Sequence, residues 1–397
     1  MKAVVLAAGE GTRMRPVTRT RPKPMVPVGG KPLLEEVLDA CSEYVDGFVI
    51  VVGYGSEDVK EYFGDEYDGK PVEYAVQDEQ EGTAHAIGTA EPYVDERFIG
   101  LNGDVVVFPE LVERLVEHES AVTVRRVENP TEYGVVGVED GEVSSVVEKP
   151  DDPPSNLANL GLYVFKPDVF DYIRETPKSE RGEYEITDSI RAMVDDGFSF
   201  DVVEHDGVWL DVGRPWEILE ANTEILSRND TSVDGDVEDG VVVGDGKVVV
   251  EEGAKIKSGT RIEGDVVVKS GAVVGPNAYV RGSTTVGENA KVGSSVEVKN
   301  SVLMEGATAG HLSYVGDSVL GEDVNLGAGS MVANLRHDGE NVRMNVKGES
   351  LDTGRRKLGV VLGDGVKTGI NTSLNAGVKM APKETSKPGE TVMEDRV

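Results

Sequence analysis

Residues 6–16 read LAAGEGTRMRP, and RPKPM follows at 21–25. A glycine-rich turn directly after an apolar strand exposes backbone N–H groups that can cradle phosphate oxygens. A plain strand-to-helix turn would leave Arg13 and Arg15 without explanation. The stretch differs from the P-loop, since no Lys-Ser/Thr pair follows the second glycine, and it lacks the dinucleotide-fold spacing. The chemistry it offers is the holding of a phosphate-bearing ligand.

Such a turn needs a strand before it and a sheet around it. Up to about Asn229, short apolar runs such as KAVVLAA, GFVIVVG, FIGLNGD, AVTVRRV and LGLYVF alternate with amphipathic stretches such as LLEEVLDACSEY and LVERLVEH. That alternation predicts an α/β domain, a mostly parallel sheet covered by helices. The segment DTSVDGDVEDG has no apolar periodicity and reads as a boundary. The expected organisation is residues 1–229, a linker at 230–240, and a second domain over 241–397.

In that second domain the period becomes six. Val250, Ile256, Ile262, Val268, Val274, Val280, Val286, Val292, Val298 and Met304 follow one another at that spacing, and a small or β-branched residue stands four positions after each. Such a repeat predicts a parallel β-helix, in which each short strand turns one aliphatic side chain inward. The phase slips near His311, resumes at Leu320, and is interrupted by an insertion at 333–357 before returning at Leu362. A histidine at a break in phase is a candidate site. The insertion carries six basic residues, Arg336, Arg343, Lys347, Arg355, Arg356 and Lys357, against four acidic ones, and is a candidate phosphate seat.

The chain carries 73 acidic against 40 basic residues, a formal net charge of −33, with 39% hydrophobic residues. Scattered Asp and Glu at that density read as a solvated acidic shell suited to concentrated salt, and argue against nucleic acid as a partner. The single cysteine, Cys41, has no partner for an internal disulfide, and no stretch approaches the length of a bilayer span. A cytoplasmic protein acting on small molecules, without a membrane partner, is expected.

Taken together, LAAGEGTRMRP and RPKPM resemble the signature of the sugar-1-phosphate nucleotidylyltransferases. The resemblance continues in order through QDEQEGTAHA (77–86), LNGD (101–104), EYGVV (132–136), VVEKP (146–150), NLGLYVF (159–165), EITD (185–188) and WLDVG (209–213). It implies a Rossmann-like nucleotidyltransferase domain in which a sugar-1-phosphate oxygen attacks the α-phosphorus of UTP or dTTP and pyrophosphate leaves. Catalysis of that kind is mainly positioning and charge neutralisation. By the resemblance, Leu6, Ala8, Gly9, Gly11, Gln77, Gly82 and Thr83 bind the nucleotide, and Arg13 and Lys23 act on the triphosphate and the transferring phosphoryl group. Asp104 and Asp211 share a Mg²⁺, while Gly134, Glu148, Lys149 and Asn159 receive the sugar phosphate. The base-recognition segment is closer to the UDP-N-acetylglucosamine pyrophosphorylases, whereas WLDVGRPW is similar to the glucose-1-phosphate branch.

Residues 309–334, AGHLSYVGDSVLGEDVNLGAGSMVAN, resemble the acetyltransferase domain of the bifunctional enzymes that make UDP-N-acetylglucosamine. The resemblance implies a left-handed β-helix that assembles as a homotrimer. In it His311 is the general base for attack of the glucosamine-1-phosphate amine on acetyl-CoA, a task suited to imidazole. Arg281, Lys299, Tyr314 and Asn325 would hold the sugar phosphate, with Ala328 and Asn334 near the acetyl group. The family has a lysine shortly after N-x-D-G; this chain has HDGENVR, so Arg343 or Lys347 would have to substitute. Two other readings stand beside the bifunctional one. They are a glucose-1-phosphate nucleotidylyltransferase with a structural solenoid, and a non-catalytic nucleotide-sugar sensor, which predicts lost metal carboxylates.

Overall fold

The computed structural model describes all 397 residues. They form two compact units, one of Met1–Glu10, Pro22–Met25 and Leu33–Asp211, the other of Gly11–Arg21, Val26–Pro32 and Val212–Val397.

The first unit is built on a ten-stranded sheet. At its centre Lys2–Leu6 pairs in parallel with Gly47–Val52 and Phe98–Asn102, and Gly47–Val52 pairs in parallel with Lys70–Val76. Leu157–Phe165 runs antiparallel to Phe98–Asn102 and to Ala121–Arg126, which makes the sheet mixed on that side. Alternation along the central strands fills two cores. Ala3, Val5, Phe48 and Ile50 enter one with Leu34, Val37 and Leu38 of helix Leu33–Ser42, while Val4, Val49 and Val51 enter the other with Ile186 and Ile190 of helix Ile186–Asp195. Strands buried on both faces read as continuous apolar runs, as these do in the sequence. Cys41 is buried, and desolvation pushes its thiol up to about 12.

The second unit is a parallel β-helix of three sheets with eight, six and eight strands. The inward ladder Val250, Val268 and Val286 steps by eighteen residues per coil, three repeats of six. All these aliphatic residues lie in one continuous core. The register then tightens, because Val286 pairs with Leu303, Val292 with Ala309, and Val298 with Val315, seventeen residues apart. Leu303, and not Met304, is therefore the inward residue of that turn. The break in phase falls between Val298 and Leu303 and recurs between Val315 and Leu320. His311 ends a strand that is in phase, so the expectation that it marks the break is corrected. Both breaks place a short corner, at Lys299–Asn300–Ser301 and at Gly316–Asp317–Ser318, and Asn300 and Asp317 take φ of +46° and +51° there.

Two further expectations change. Residues 230–240, read as a linker, carry the strands Ser232–Val233 and Asp236–Val237, which pair with Val249–Val250 and Lys255–Ile256. Their side chains are exposed, so the strands show no apolar period; backbone bonds hold them, with one ion pair from Asp236 to Lys255 (2.8 Å). Helix Glu217–Arg228 also belongs to the second unit: Asn222 donates to the Ser283 carbonyl (3.0 Å) and accepts from the Thr285 hydroxyl (2.6 Å). The insertion is a folded hairpin, Arg343–Val346 against Glu349–Asp352, with Val342, Met344 and Val346 buried beneath it. No helix is long and apolar enough to cross a membrane.

Candidate active sites

In the first unit the strand Lys2–Leu6 delivers the opening turn. The Ala7 N–H donates to the Val51 carbonyl (2.8 Å), and the Leu6 carbonyl accepts from Gly103 N–H (2.8 Å), which fastens the turn beside the LNGD strand end. Gln80 Nε2 donates to the Ala8 carbonyl (2.5 Å). Gly9 is exposed with open space where a Cβ would stand, so its backbone is accessible to a ligand. Gly11, at φ +64°, and the exposed Arg13 follow it in the chain and are grouped with the second unit.

Lys23 is 6% exposed, and its ammonium bonds the Asp104 carboxylate and lies 3.5 Å from Asp211 Oδ1. A short antiparallel pair explains the convergence: Leu210–Asp211 pairs with Val105–Val106, directly after Asp104. No group of three or more His, Cys, Asp or Glu side chains is arranged to hold a metal ion. Two carboxylates facing one point are nonetheless a donor set suited to a hard cation that takes its remaining oxygens from phosphate and water.

Gln77 is 4% exposed, its side-chain amide donates to the Gly82 carbonyl (3.3 Å), and it lies 3.2 Å from His85 Nδ1. Gly82 has φ +116°, and a Cβ there would meet the Tyr184 carbonyl oxygen at 2.5 Å, so only glycine fits. Thr83 Oγ1 accepts from the Ile186 N–H (3.0 Å), tying the segment to EITD. Across the sheet Gly134 pairs with Glu148, and a Cβ on Gly134 would lie 2.9 Å from Glu148 Oε2 and 3.5 Å from Asn159. These three sugar-site candidates are thus neighbours. Lys149 is exposed at φ +40°, with its N–H on the Tyr133 carbonyl (3.1 Å). Asn159 donates to the Tyr163 hydroxyl (2.6 Å) and accepts from the Gly161 N–H (3.1 Å).

Sequence reasoning passed over Arg181, and met Glu185 only as the first residue of EITD. Arg181 bonds Glu148 and Glu185, both at 3.1 Å, and burial followed by the charge of Glu148 raises the Glu185 carboxyl above its ordinary range. Arg181 lies in an irregular stretch outside the quoted motifs, and only its position four residues before Glu185 could have pointed to it.

In the second unit the register stacks Arg281, Lys299 and Gly316 on one sheet, at the same level of three successive coils. Arg281 grips Glu297 through Nε (2.9 Å) and Nη2 (2.7 Å). Lys299 bonds both oxygens of Asp317 at 2.9 Å, and Asp317, 2% exposed, also accepts from Asn300 (2.9 Å) and Asn334 (2.6 Å). Asn334 further donates to the Tyr314 hydroxyl (3.1 Å), whose pKa is raised chiefly by burial. Arg281, Lys299, Tyr314 and Asn334 therefore form one cluster, and its hub, Asp317, is a residue the sequence reading did not single out.

His311 and Asn325 stand on the adjacent sheet. His311 ends Thr308–His311, its side chain is exposed and makes no hydrogen bond or ion pair within the chain, and Asn325 pairs with Thr308 on the next coil. Ala328 lies in the corner after Asn325, its carbonyl accepting from the Asn371 N–H (2.8 Å). The basic residues of the insertion do not form one open patch. Arg336 pairs with Asp338 and Arg343 with the Ser350 carbonyl, because the hairpin turns them back on its own backbone.

Residues 2–228 match the nucleotidyl transferase family, and residues 262–389 match the family described as GMPPB C-terminal domain. The chain is 42% identical over 381 residues to the bifunctional protein GlmU of Methanocaldococcus jannaschii, covering 96% of this chain and 92% of the relative. It is 44% identical over 403 residues to a bifunctional sugar-1-phosphate nucleotidylyltransferase/acetyltransferase of Sulfurisphaera tokodaii, covering 100% and 98%. Among solved structures, a UDP-glucose pyrophosphorylase complexed with UDP-glucose aligns with 57% of this chain and 99% of its own, at 28% identity and a TM-score of 0.52.

Proposed function

This chain belongs to the nucleotidyl transferase family, and on that premise we propose that it performs two transfers on an amino-sugar phosphate. The β-helix acetylates glucosamine-1-phosphate from acetyl-CoA, and the α/β unit then couples the N-acetylglucosamine-1-phosphate to UTP, releasing pyrophosphate. The observation that carries the nucleotidyl step is the Lys23 ammonium set between the Asp104 and Asp211 carboxylates. Mg²⁺ held by those carboxylates would neutralise charge on the phosphates. Lys23, with its side chain buried, is then a fixed cation at the transferring phosphoryl group, where the nucleophilic oxygen and the leaving pyrophosphate both carry negative charge. Gly9 offers open backbone to the triphosphate, and Arg13 stands in the same motif. Gln77 and Gly82 are suited to the base edge. Gly134, Glu148 and Asn159 face the sugar, with Lys149 for its phosphate.

For the acetyl step, Arg281 and Lys299 receive the sugar phosphate beside Tyr314, and Asn325 lies across the corner. Ala328 and Asn334 are assigned to the acetyl group and cofactor arm. The exposed His311 imidazole takes the amine proton as nitrogen attacks the thioester carbon, and the thiol of coenzyme A leaves. An imidazole without an intrachain partner is consistent with a site completed by a neighbouring copy, and a homotrimer through the β-helix is part of the proposal.

The test measures pyrophosphate release from UTP with N-acetylglucosamine-1-phosphate and Mg²⁺, and free thiol from acetyl-CoA with glucosamine-1-phosphate, both in concentrated KCl. Both releases are expected. Nucleotidyl transfer without thiol release, from the same folded protein, would overturn the second activity and make the solenoid a scaffold. Preference for dTTP or glucose-1-phosphate would overturn the substrate assignment.

A further inference from the structure

Within the second unit a cavity of about 380 Å³ is lined by Arg13, Arg15 and Arg19 of the Gly11–Arg21 segment, by Lys347 at the tip of the hairpin, and by Lys379 of the solenoid. No Asp or Glu side chain lines it, and the one anionic group in the lining is the α-carboxylate of Val397. In a chain of net charge −33, five cations around one small cavity stand against the composition everywhere else.

Each side of the cavity is held in place. Arg21 is 8% exposed and bonds Glu322 (2.5 Å) and Asp364, and Thr20 Oγ1 donates to Asp364 (2.6 Å), which pins the arginine segment to the solenoid. Lys347 occupies the hairpin turn at φ +52° with Gly348 at +88° beside it. Asn or Gly would adopt that left-handed turn at lower cost, so the turn's geometry does not itself call for a lysine there. Lys379 is 6% exposed, and its nearest carboxylate is Asp395 at 3.7 Å. Burial, and then the Arg19 charge, press the Lys379 ammonium below its ordinary range despite Asp395. A buried cation facing like charges is relieved by an anion between them.

We propose that this cavity binds a small phosphorylated metabolite carrying at least two phosphate charges, of the size of a sugar bisphosphate. The guanidinium forks suit phosphate oxygens, and the volume falls within the range of small-ligand sites. A nucleic-acid backbone is disfavoured by the acidity of the remaining surface. The site goes beyond the transfer reactions above, and its test uses Arg19 and Lys379, to which those reactions assign no role.

Glucose 1,6-bisphosphate is titrated calorimetrically into the full-length protein and into the Arg19→Gln/Lys379→Met double variant. Kinetics with UTP are followed on both proteins. Saturable one-to-one binding is expected, weakened at least about tenfold in the variant, with the KM for UTP unchanged. Absence of saturable binding, or equal affinity in variant and parent, overturns the proposal. Parallel loss of bisphosphate binding and of UTP affinity also overturns it, because the cavity would then be part of the nucleotide site. A melting temperature for the variant close to the parent's confirms that it folds. Should that variant fail to fold, the single Arg19→Gln variant, at an exposed side chain of the lining, takes its place under the same criteria.

Discussion

Replacing Asp317 by Asn changes one atom at the centre of the cluster proposed for acetyl transfer. The carboxylate accepts two bonds from Lys299 and one each from Asn300 and Asn334, and it is 2% exposed, so its acceptor capacity is filled. Asn300 bonds Oδ1 and Asn334 bonds Oδ2, while Lys299 bonds both. An amide NH₂ placed at either oxygen therefore faces two donors. Removing one member of a buried pair costs about 3–5 kcal/mol. The Lys299 side chain is 18% exposed, so water recovers part of this and about 3 kcal/mol is expected. The freed Lys299 and Asn334 no longer aim at fixed points. If a quarter to a half of that energy is expressed in sugar-phosphate binding, KM for glucosamine-1-phosphate rises roughly 4- to 12-fold, kcat less. Thiol release from acetyl-CoA measures it, and pyrophosphate release on the same sample is the control for folding and stays at the parent level. Asn300→Ala, which deletes one of the four bonds and no charge, costs about 1 kcal/mol by comparison. An Asp317→Asn protein with parental KM for the sugar phosphate would refute the view that Asp317 aims Lys299.

Asp104→Asn is expected to lower nucleotidyl transfer by roughly 10²–10³ while leaving acetyl transfer intact, and His311→Ala to do the reverse; equal losses of both activities in either variant would sink the two-site reading. Gly82→Ala forces a Cβ to 2.5 Å from the Tyr184 carbonyl at φ +116°, and about 1–3 kcal/mol of strain should appear as a higher KM for UTP, read by a UTP titration. His205 is held neutral chiefly by burial, so its folded pKa lies below the ordinary 6.5. The unfolded chain then binds the proton more readily, so this contribution to stability is present above about 6.5 and is lost as pH falls below that value through the folded pKa. Melting temperatures of parent and His205→Gln, compared from pH 8 to 5, should converge on acidification.

The strand-turn at 6–16, the alternation of strands and helices after it and the six-residue ladder were legible because each rests on periodicity or on a local turn, which sequence spacing reports directly. The convergence of Asp104 and Asp211 on Lys23 was legible only through the resemblance, since three residues far apart in sequence meet through a two-residue strand pair. Met304 shows where spacing misleads. It continues the count of six, yet the coil had already shortened by one residue at the Asn300 corner, and Leu303 took the inward place. A chain of aliphatic neighbours on both sides of a one-residue deletion cannot reveal which of them faces in. Asp317 was hidden for a different reason: one Asp among 73 acidic residues gives no signal until the fold buries it.

That burial bears on how an acidic protein recognises acidic substrates. Lys23, Arg281 and Lys299, three of the five cations assigned to phosphate groups, already rest on carboxylates of this chain: Asp104 and Asp211, Glu297, and Asp317. A phosphate arriving at any of them enters beside an existing anion, so affinity is a small difference between two ion pairs and depends on aim more than on charge. Such pairing keeps the cations oriented. It also predicts that added salt, which screens exposed charge more than these partly buried pairs, will change substrate binding less than the net charge of −33 would suggest. The Arg13, Arg15, Arg19, Lys347 and Lys379 cavity sets five cations against one carboxylate in its lining, the α-carboxylate of Val397, so anion binding there should be the more salt-sensitive of the two. Measured side by side from 0.2 to 2 M KCl, the slope of log Kd for glucose 1,6-bisphosphate should exceed that of log KM for glucosamine-1-phosphate; equal slopes would mean that the carboxylate partners do not shape recognition at all.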